Sequence, residues 1–350
     1  MQRPIMNPTF FEAGDAAPAP RPRPLLRMAR ILLRLMRAFT RLLFMDPVAR
    51  LRHRGLKIED GTTASRIVRG IMYRMAFIPI LLALTIALVV YTATHPPQVP
   101  SDFDPTSAGI YYDEVTFRTS DGVRLSGWLV PVLDAQRVLR ERDELLRQRS
   151  PAVVLVHDYA SRRQQMLPLV RPLHEAGFVV MVVSLRGCGT SQPTAQTFGL
   201  REALDVKAAV ETLRRRSFVD PSKIALVGVG TGATAAIIAA AEDPAVVAVV
   251  ADSPMPDADA VLTRYVGPQQ ELLRWMRPLC RWAFEIGFHL DADQLRLANY
   301  DELLQSERAL LIDGEHRQAA LASSAVGEQL IAFIQERTKP ASPAATAKIE

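Results

Sequence analysis

Only two cysteines, Cys188 and Cys280, occur in the 350 residues. So low a count excludes a disulfide framework, and neither thiol has metal-ligand spacing around it, so no metal site is expected. A single bridge between the two stays open for a domain outside the cytoplasm. The chain also lacks a Walker phosphate loop, a dinucleotide fingerprint and a zinc signature, and no cofactor is expected. Aromatic residues are sparse at 7%, and the arginine-rich stretch is not interleaved with them. No nucleic-acid partner is therefore expected.

Charge of one sign, or of both, is missing from two amino-terminal stretches. Met75 to Thr94 has no charged residue and is rich in Ile and Leu. At about 1.5 Å per residue such a run spans the roughly 30 Å hydrocarbon core of a bilayer, so residues 75–94 are expected to form a transmembrane helix, with Pro79 near one end. Residues 1 to 75 hold 15 Lys and Arg against 5 Asp and Glu, a net +10, whereas the rest of the chain holds 27 against 32, a net −5. The positive-inside rule then places the amino terminus in the cytoplasm and the remainder outside, as an uncleaved signal anchor.

Leu25 to Met45 has no acidic residue. Its Arg27, Arg30, Arg34, Arg37 and Arg41 fall within an arc of about 80° on a helix. A basic amphipathic helix of this kind suits the surface of anionic lipids, each arginine contributing roughly 1 kcal/mol; the alternative is a helix docked on a protein partner. Residues 1–24 are Pro-, Ala- and Arg-rich and expected to be disordered, and residues 25–74 form a basic membrane-proximal region. Residues 95–110, with His95-Pro96-Pro97, read as a stiff linker, and 339–350 as a disordered tail.

Residues 111–338 read differently. Glu114–Thr119 and Val123–Val130 form a predicted hairpin around Ser120-Asp121-Gly122. Ala152–His157, Phe178–Ser184, Ala245–Ala251 and Arg308–Asp313 are short apolar runs of buried-strand type. Leu200–Arg216 has helical periodicity, and Asp220-Pro221-Ser222 leads to a further strand. That strand, Ile224 onward, ends in Gly228-Val229-Gly230-Thr231-Gly232 before a helix of small residues, Ala233–Ala241. Strands alternating with helices predict an α/β fold with a mostly parallel sheet flanked by helices.

The glycine turn is similar to the nucleophile elbow G-x-S-x-G of the α/β-hydrolase superfamily, in its esterase and serine-peptidase-like branch. His157-Asp158-Tyr159-Ala160 stands where that family has His-Gly and an oxyanion-hole amide. Leu185-Arg186-Gly187-Cys188-Gly189-Thr190-Ser191 resembles its D-x-R-G-x-G-x-S turn. The resemblance implies an α/β-hydrolase-like domain with a lid-like region at about 254–300, where Trp275, Trp282, Phe284 and Phe288 are expected mainly to cover the sheet.

Four slots depart from the family pattern. The nucleophile position is Gly230, which has no attacking atom, and the elbow glycines Gly228 and Gly232 frame it. Thr231 lies about 100° further round the helix, so its hydroxyl is expected to point away from the site. The family's base follows the last strand, but here Asp313-Gly314-Glu315-His316-Arg317 passes straight into a predicted terminal helix, Gln318–Glu336. Arg317 fills the slot of the orienting acid, where a cation would repel an imidazolium. Asp158 replaces the oxyanion-loop glycine, although the backbone amides of Tyr159 and Thr231 are expected to remain as the frame of a pocket for a carbonyl or anion.

The remaining candidates for catalysis are Thr231, Ser161, Asp252 and His316, of which Asp252 reads mainly as a cap for the turn Asp252-Ser253-Pro254. The leading expectation is a membrane-anchored, catalytically inactive α/β-hydrolase-fold protein acting as a binding or scaffolding module, with a protein or a small acyl or anionic ligand as partner. The alternatives are an active esterase or peptidase with a non-standard nucleophile, and a structural membrane-organising protein. Asp134–Gln148 reads as an inserted charged helix with a solvated or docking face.

Overall fold

The computed structural model describes residue 34 and residues 63–97, 104–132, 149–265, 274–312 and 324–339. The chain divides into two compact units, 1–83 and 84–350. Helix α1, Thr63–Thr94, is continuous over 32 residues. It begins about three turns before the apolar run alone predicts, so Pro79 sits in its interior rather than near an end. Its segment Phe77–Thr94, with mean hydropathy 2.2, is the one helix among the described residues long and apolar enough to cross a membrane. Arg34 is helical and exposed. Arg27, Arg30, Arg37 and Arg41, the segments 1–24 and 134–148, and the tail beyond Lys339 lie outside the described residues.

The second unit is built on one seven-stranded sheet. Its strands are β1 (Asp113–Arg118), β2 (Arg124–Val130), β3 (Ser150–Val156), β4 (Val179–Ser184), β5 (Val219–Val229), β6 (Val246–Asp252) and β7 (Ala309–Ile312), in the spatial order β1-β2-β4-β3-β5-β6-β7. β1, β2 and β4 pair antiparallel, and the other neighbours are parallel. All six residues of β4 and the last five of β3 are buried, because helices cover both faces and no side of the strand needs polar residues.

On one face lie α3 (Glu202–Arg214) and α4 (Thr231–Glu242), whose Val206, Leu213 and Ile237 join the β3 and β5 side chains. On the other lie α2 (Leu167–Glu175) and α7 (Ser324–Thr338), contributing Leu169, Leu173, Leu330 and Ile334. α4 is buried at every residue from Thr231 to Ala240, which its alanines and glycine permit by letting helix and sheet approach closely. α2 has no counterpart in the sequence reading. Its Pro168 and Pro172 mask the pattern, yet the first lies in the opening turn, where a missing N–H is harmless.

Other boundaries move for identifiable reasons. Asp220-Pro221-Ser222 belongs to the irregular start of β5, where Asp220 Oδ1 accepts from the Ser222 amide at 3.0 Å and the β3–β5 register shifts. Of the predicted carboxy-terminal helix, residues 318–323 lie outside the described residues, and the described part runs from Ser324 to Thr338, two residues past the expected end at Glu336.

The lid-like region forms α5 (Ala258–Tyr265) and α6 (Arg277–Phe288), followed by short turns. A third apolar cluster lies over it, with Phe198, Val261, Phe284 and Leu295, and with Val90 and Ala93 of α1 packed against them.

This cluster lies just before the segment 95–110 read as a linker, of which residues 98–103 lie outside the described residues. The last turns of α1 dock on the domain directly. Thr94 is buried, its carbonyl accepts the Gln196 amide at 2.7 Å, and the Ala93 carbonyl accepts the Tyr159 hydroxyl at 2.6 Å. Pro105–Ala108 is a 3-10 turn capped by Asp104 and Gly109 rather than extended chain.

Candidate functional site

β5 delivers its chain to the centre of the sheet's carboxyl edge and α4 departs from it, with Gly230 between them at φ 57°, ψ −118°. This conformation is one that glycine adopts without the strain a Cβ brings. The Gly230 amide donates to the Asp252 carbonyl of β6 at 2.9 Å. Gly228 and Gly232 are steric requirements: a Cβ on Gly228 would meet the Gly232 backbone, and one on Gly232 would meet the His157 and Val156 carbonyls. The elbow architecture is therefore complete apart from its side chain.

The space above Gly230 is filled by Asp158. A Cβ built on Gly230 would overlap all three atoms of the Asp158 carboxyl. Asp158 Oδ1 accepts from the Tyr159 amide at 2.7 Å and the Thr231 amide at 2.9 Å. Those are the two amides expected to frame a pocket for a carbonyl or anion. Both donate to the protein's own carboxylate. Arg264 of α5 donates from Nη2 to Asp158 Oδ2 at 3.2 Å, and both side chains are largely buried. Gln165 fixes the loop by accepting the Asp158 amide at 2.9 Å.

The Thr231 hydroxyl does not point away from this site. It is buried, and Oγ1 lies 3.4 Å from Asp158 Oδ1; Gly230, at φ 57° and ψ −118°, is not helical, so a 100° helical step between it and Thr231 does not apply. Ser161 lies in the same loop, its amide donating to the Asp158 carbonyl at 3.2 Å. Asp252 ends β6 opposite Val229. It is fully buried, and its Oδ1 accepts the Ser253 hydroxyl at 2.8 Å, as a turn-capping residue would. His316 and Arg317 lie outside the described residues. At the end of α1 the Thr94 hydroxyl lies 3.0 Å from His95 Nδ1.

His157 is engaged on both ring nitrogens. Nε2 accepts from the Leu185 amide at 3.2 Å, so Nδ1 carries the proton and donates to the Asp158 carbonyl at 2.8 Å. Full burial pushes its pKa from 6.5 down to about 4, against the opposing pull of that carbonyl. A lowered folded-state value means that the unfolded chain takes up this proton first as pH falls. Stability is unaffected above about 6.5 and is lost between about 6.5 and 4, by about 3 kcal/mol in total. An NMR titration of the ring should show its midpoint near 4, and a midpoint near 6.5 would remove His157 as a source of acid sensitivity.

Both cysteines are free and buried. Burial pushes the Cys188 thiol up to about 12, while Gln196 Nε2 lies 2.7 Å from its sulfur. Among the described residues, no group of three His, Cys, Asp or Glu side chains is placed to hold a metal ion. Arg264 has no sequence signal: it belongs to no motif and reaches Asp158 across 106 positions of chain.

A seven-stranded sheet in this order, with a glycine elbow after β5, is the framework of an α/β-hydrolase. The chain belongs to the alpha/beta hydrolase family, whose model matches residues 153–346. It is 29% identical over 186 residues to the uncharacterized protein YfhR of Escherichia coli O157:H7, covering 51% of this chain and 60% of that protein. It is 32% identical over 146 residues to the uncharacterized protein Rv2307c of Mycobacterium tuberculosis, covering 42% and 46%. The matched stretch thus spans about half the length of these curated relatives. Among solved structures, the Pyrococcus furiosus esterase Pf2001 superposes with a TM-score of 0.52 at 21% identity, covering 70% of this chain and 98% of the esterase. At that identity the likeness is one of fold.

Proposed function

We propose that this protein is a membrane-anchored α/β-hydrolase-fold protein that does not perform acyl transfer and works as a binding or scaffolding module, its amino terminus cytoplasmic and its hydrolase-like domain outside. The carrying observation is Asp158: its carboxylate lies where a nucleophile would project and takes up the Tyr159 and Thr231 amides. A substrate carbonyl entering there would meet a negative charge instead of two free donors. Gly230 supplies no nucleophile, and in triad enzymes loss of such members costs on the order of 10⁴ to 10⁶ in turnover.

The second reading is an esterase-like enzyme with Thr231 as nucleophile. Its support is the approach of Thr231 Oγ1 to a carboxylate at 3.4 Å. A hydroxyl that long from its acceptor, with both oxygens of that acceptor engaged elsewhere, is poorly activated.

The test is a fluorophosphonate probe applied to the full chain in a bilayer, since a chain beginning after Thr94 would strip Val90 and Ala93 from the apolar cluster they pack on. No labelling is expected, and stoichiometric labelling of any serine or threonine would favour the second reading. For topology, cysteines introduced at Pro100 and Pro340 are expected to react with a membrane-impermeant reagent from outside the cell. Reaction from the cytoplasmic side alone would overturn the proposed orientation.

A further inference from the structure

α6 and the turn before it have two faces of unlike character. Met276, Cys280 and Phe284 are buried, and Phe284 belongs to the third apolar cluster. Trp275, Leu279, Trp282 and Ile286 are 62%, 37%, 62% and 55% exposed. Their spacing of four, three and four residues gathers them within about 60° of arc at 100° per residue. Two tryptophans and two aliphatic side chains on one solvent-facing stripe are not explained by covering the sheet, the role expected for Trp275 and Trp282 from sequence.

The neighbour of this helix identifies what the stripe meets. Cys280 and Phe284, on its inner face, line an apolar cavity of about 30 Å³ together with Val89, Val90, Ala93 and Thr94 of α1. The stripe is therefore one helix thickness from the end of the apolar helix. That end has its own outward apolar residues, Leu84 and Tyr91 at 64% and 60% exposure, and Tyr91 stacks on His95 at 4.3 Å. The 18 residues Phe77–Thr94 span about 27 Å as a helix, close to the whole hydrocarbon thickness, so none of them can be spared as a spacer. If the segment crosses the bilayer, its last turns lie at the outer boundary, and α6 is held there with them. Indole side chains concentrate at that depth, where a ring is both apolar and hydrogen-bonding.

We propose that α6 is a second membrane-contact element, with Trp275, Leu279, Trp282 and Ile286 embedded in the outer interfacial layer. The domain then rests on the bilayer with its lid side down. This rests on the membrane-anchor reading of α1 and adds to it the orientation of the domain.

Intrinsic fluorescence of the full chain in vesicles of brominated phosphatidylcholine tests it. Of the three tryptophans, Trp128 is buried within β2 and serves as the unquenched reference. Trp275 and Trp282 are expected to lose most of their emission to lipid bromine and to resist quenching by aqueous acrylamide, and W275F/W282F is expected to remove the quenchable component. A Leu84→Trp reporter in that double variant reads α1 separately, and all three positions are exposed, so folding should be unaffected. Quenching of the reporter without quenching of Trp275 and Trp282 overturns the lid proposal and leaves the anchor standing. No quenching of either overturns the anchor and the lid proposal together. Protection of the pair from both lipid bromine and acrylamide would indicate a protein covering the stripe and equally overturn the proposal.

Discussion

Replacing Gly230 by serine is expected to destabilise the protein rather than restore a hydrolase. The added Cβ would fall on the Asp158 carboxyl, and it would do so at φ 57°, where an L side chain is strained. Overpacking of this kind costs roughly 1–3 kcal/mol, and displacing Asp158 adds the loss of its bonds to two buried amides and Arg264. A combined cost of about 3–5 kcal/mol follows, read as a fall in the urea midpoint. Gly230→Ser with Asp158→Gly should recover part of the loss, because the second change opens the space the first needs. Even then no ester turnover is expected, since a serine at position 230 does not by itself supply the base and the orienting acid that a triad needs. A Gly230→Ser protein as stable as the parent and active on short acyl esters would refute both the filled-site reading and the inactivity drawn from it.

Arg186→Met is expected to be the most damaging single change away from the elbow. Arg186 is 1% exposed, its Nη2 lies 2.7 Å from Oδ1 of the fully buried Asp205, and its Nη1 lies 2.8 Å from Asp121 Oδ2. Its amide also donates to Asp205 Oδ2 at 2.8 Å. The three residues tie the turn after β4 to α3 and to the hairpin between β1 and β2. Removing the guanidinium leaves a buried carboxylate uncompensated, which costs about 3–5 kcal/mol. Arg186→Met paired with Asp205→Leu should be less destabilised than Arg186→Met alone, because the orphaned charge is gone. If the double variant shows the sum of the two single losses, the two residues are not coupled and the ion pair is not what holds the turn.

The fold was legible because strand and helix periods are local. β3, β4 and β6 were recognisable from continuous apolar runs and α3 from its helical spacing, each to within two residues of the observed ends. α2 was not, since its two prolines outweigh its apolar pattern in a local reading. The elbow was legible for the same local reason: glycines at 228, 230 and 232 mark a backbone path that leaves no room for side chains.

What fills that elbow was not legible. Asp158 was recognisable as a departure from the family pattern, but its bond to the Thr231 amide joins residues 73 apart, and its pairing with Arg264 joins residues 106 apart. Likewise, α1 could be read as an apolar helix but not as one whose last turns complete a domain core. The tryptophans of α6 were visible without the direction in which they face. The amino-acid sequence by itself determined the α/β framework, the apolar helix and the glycine-lined elbow, because each is written in neighbouring residues. Only the tertiary structure decided that the protein's own carboxylate occupies the vacated site and that the lid turns two tryptophans outward, because both depend on which distant groups satisfy a buried amide or cover an apolar face.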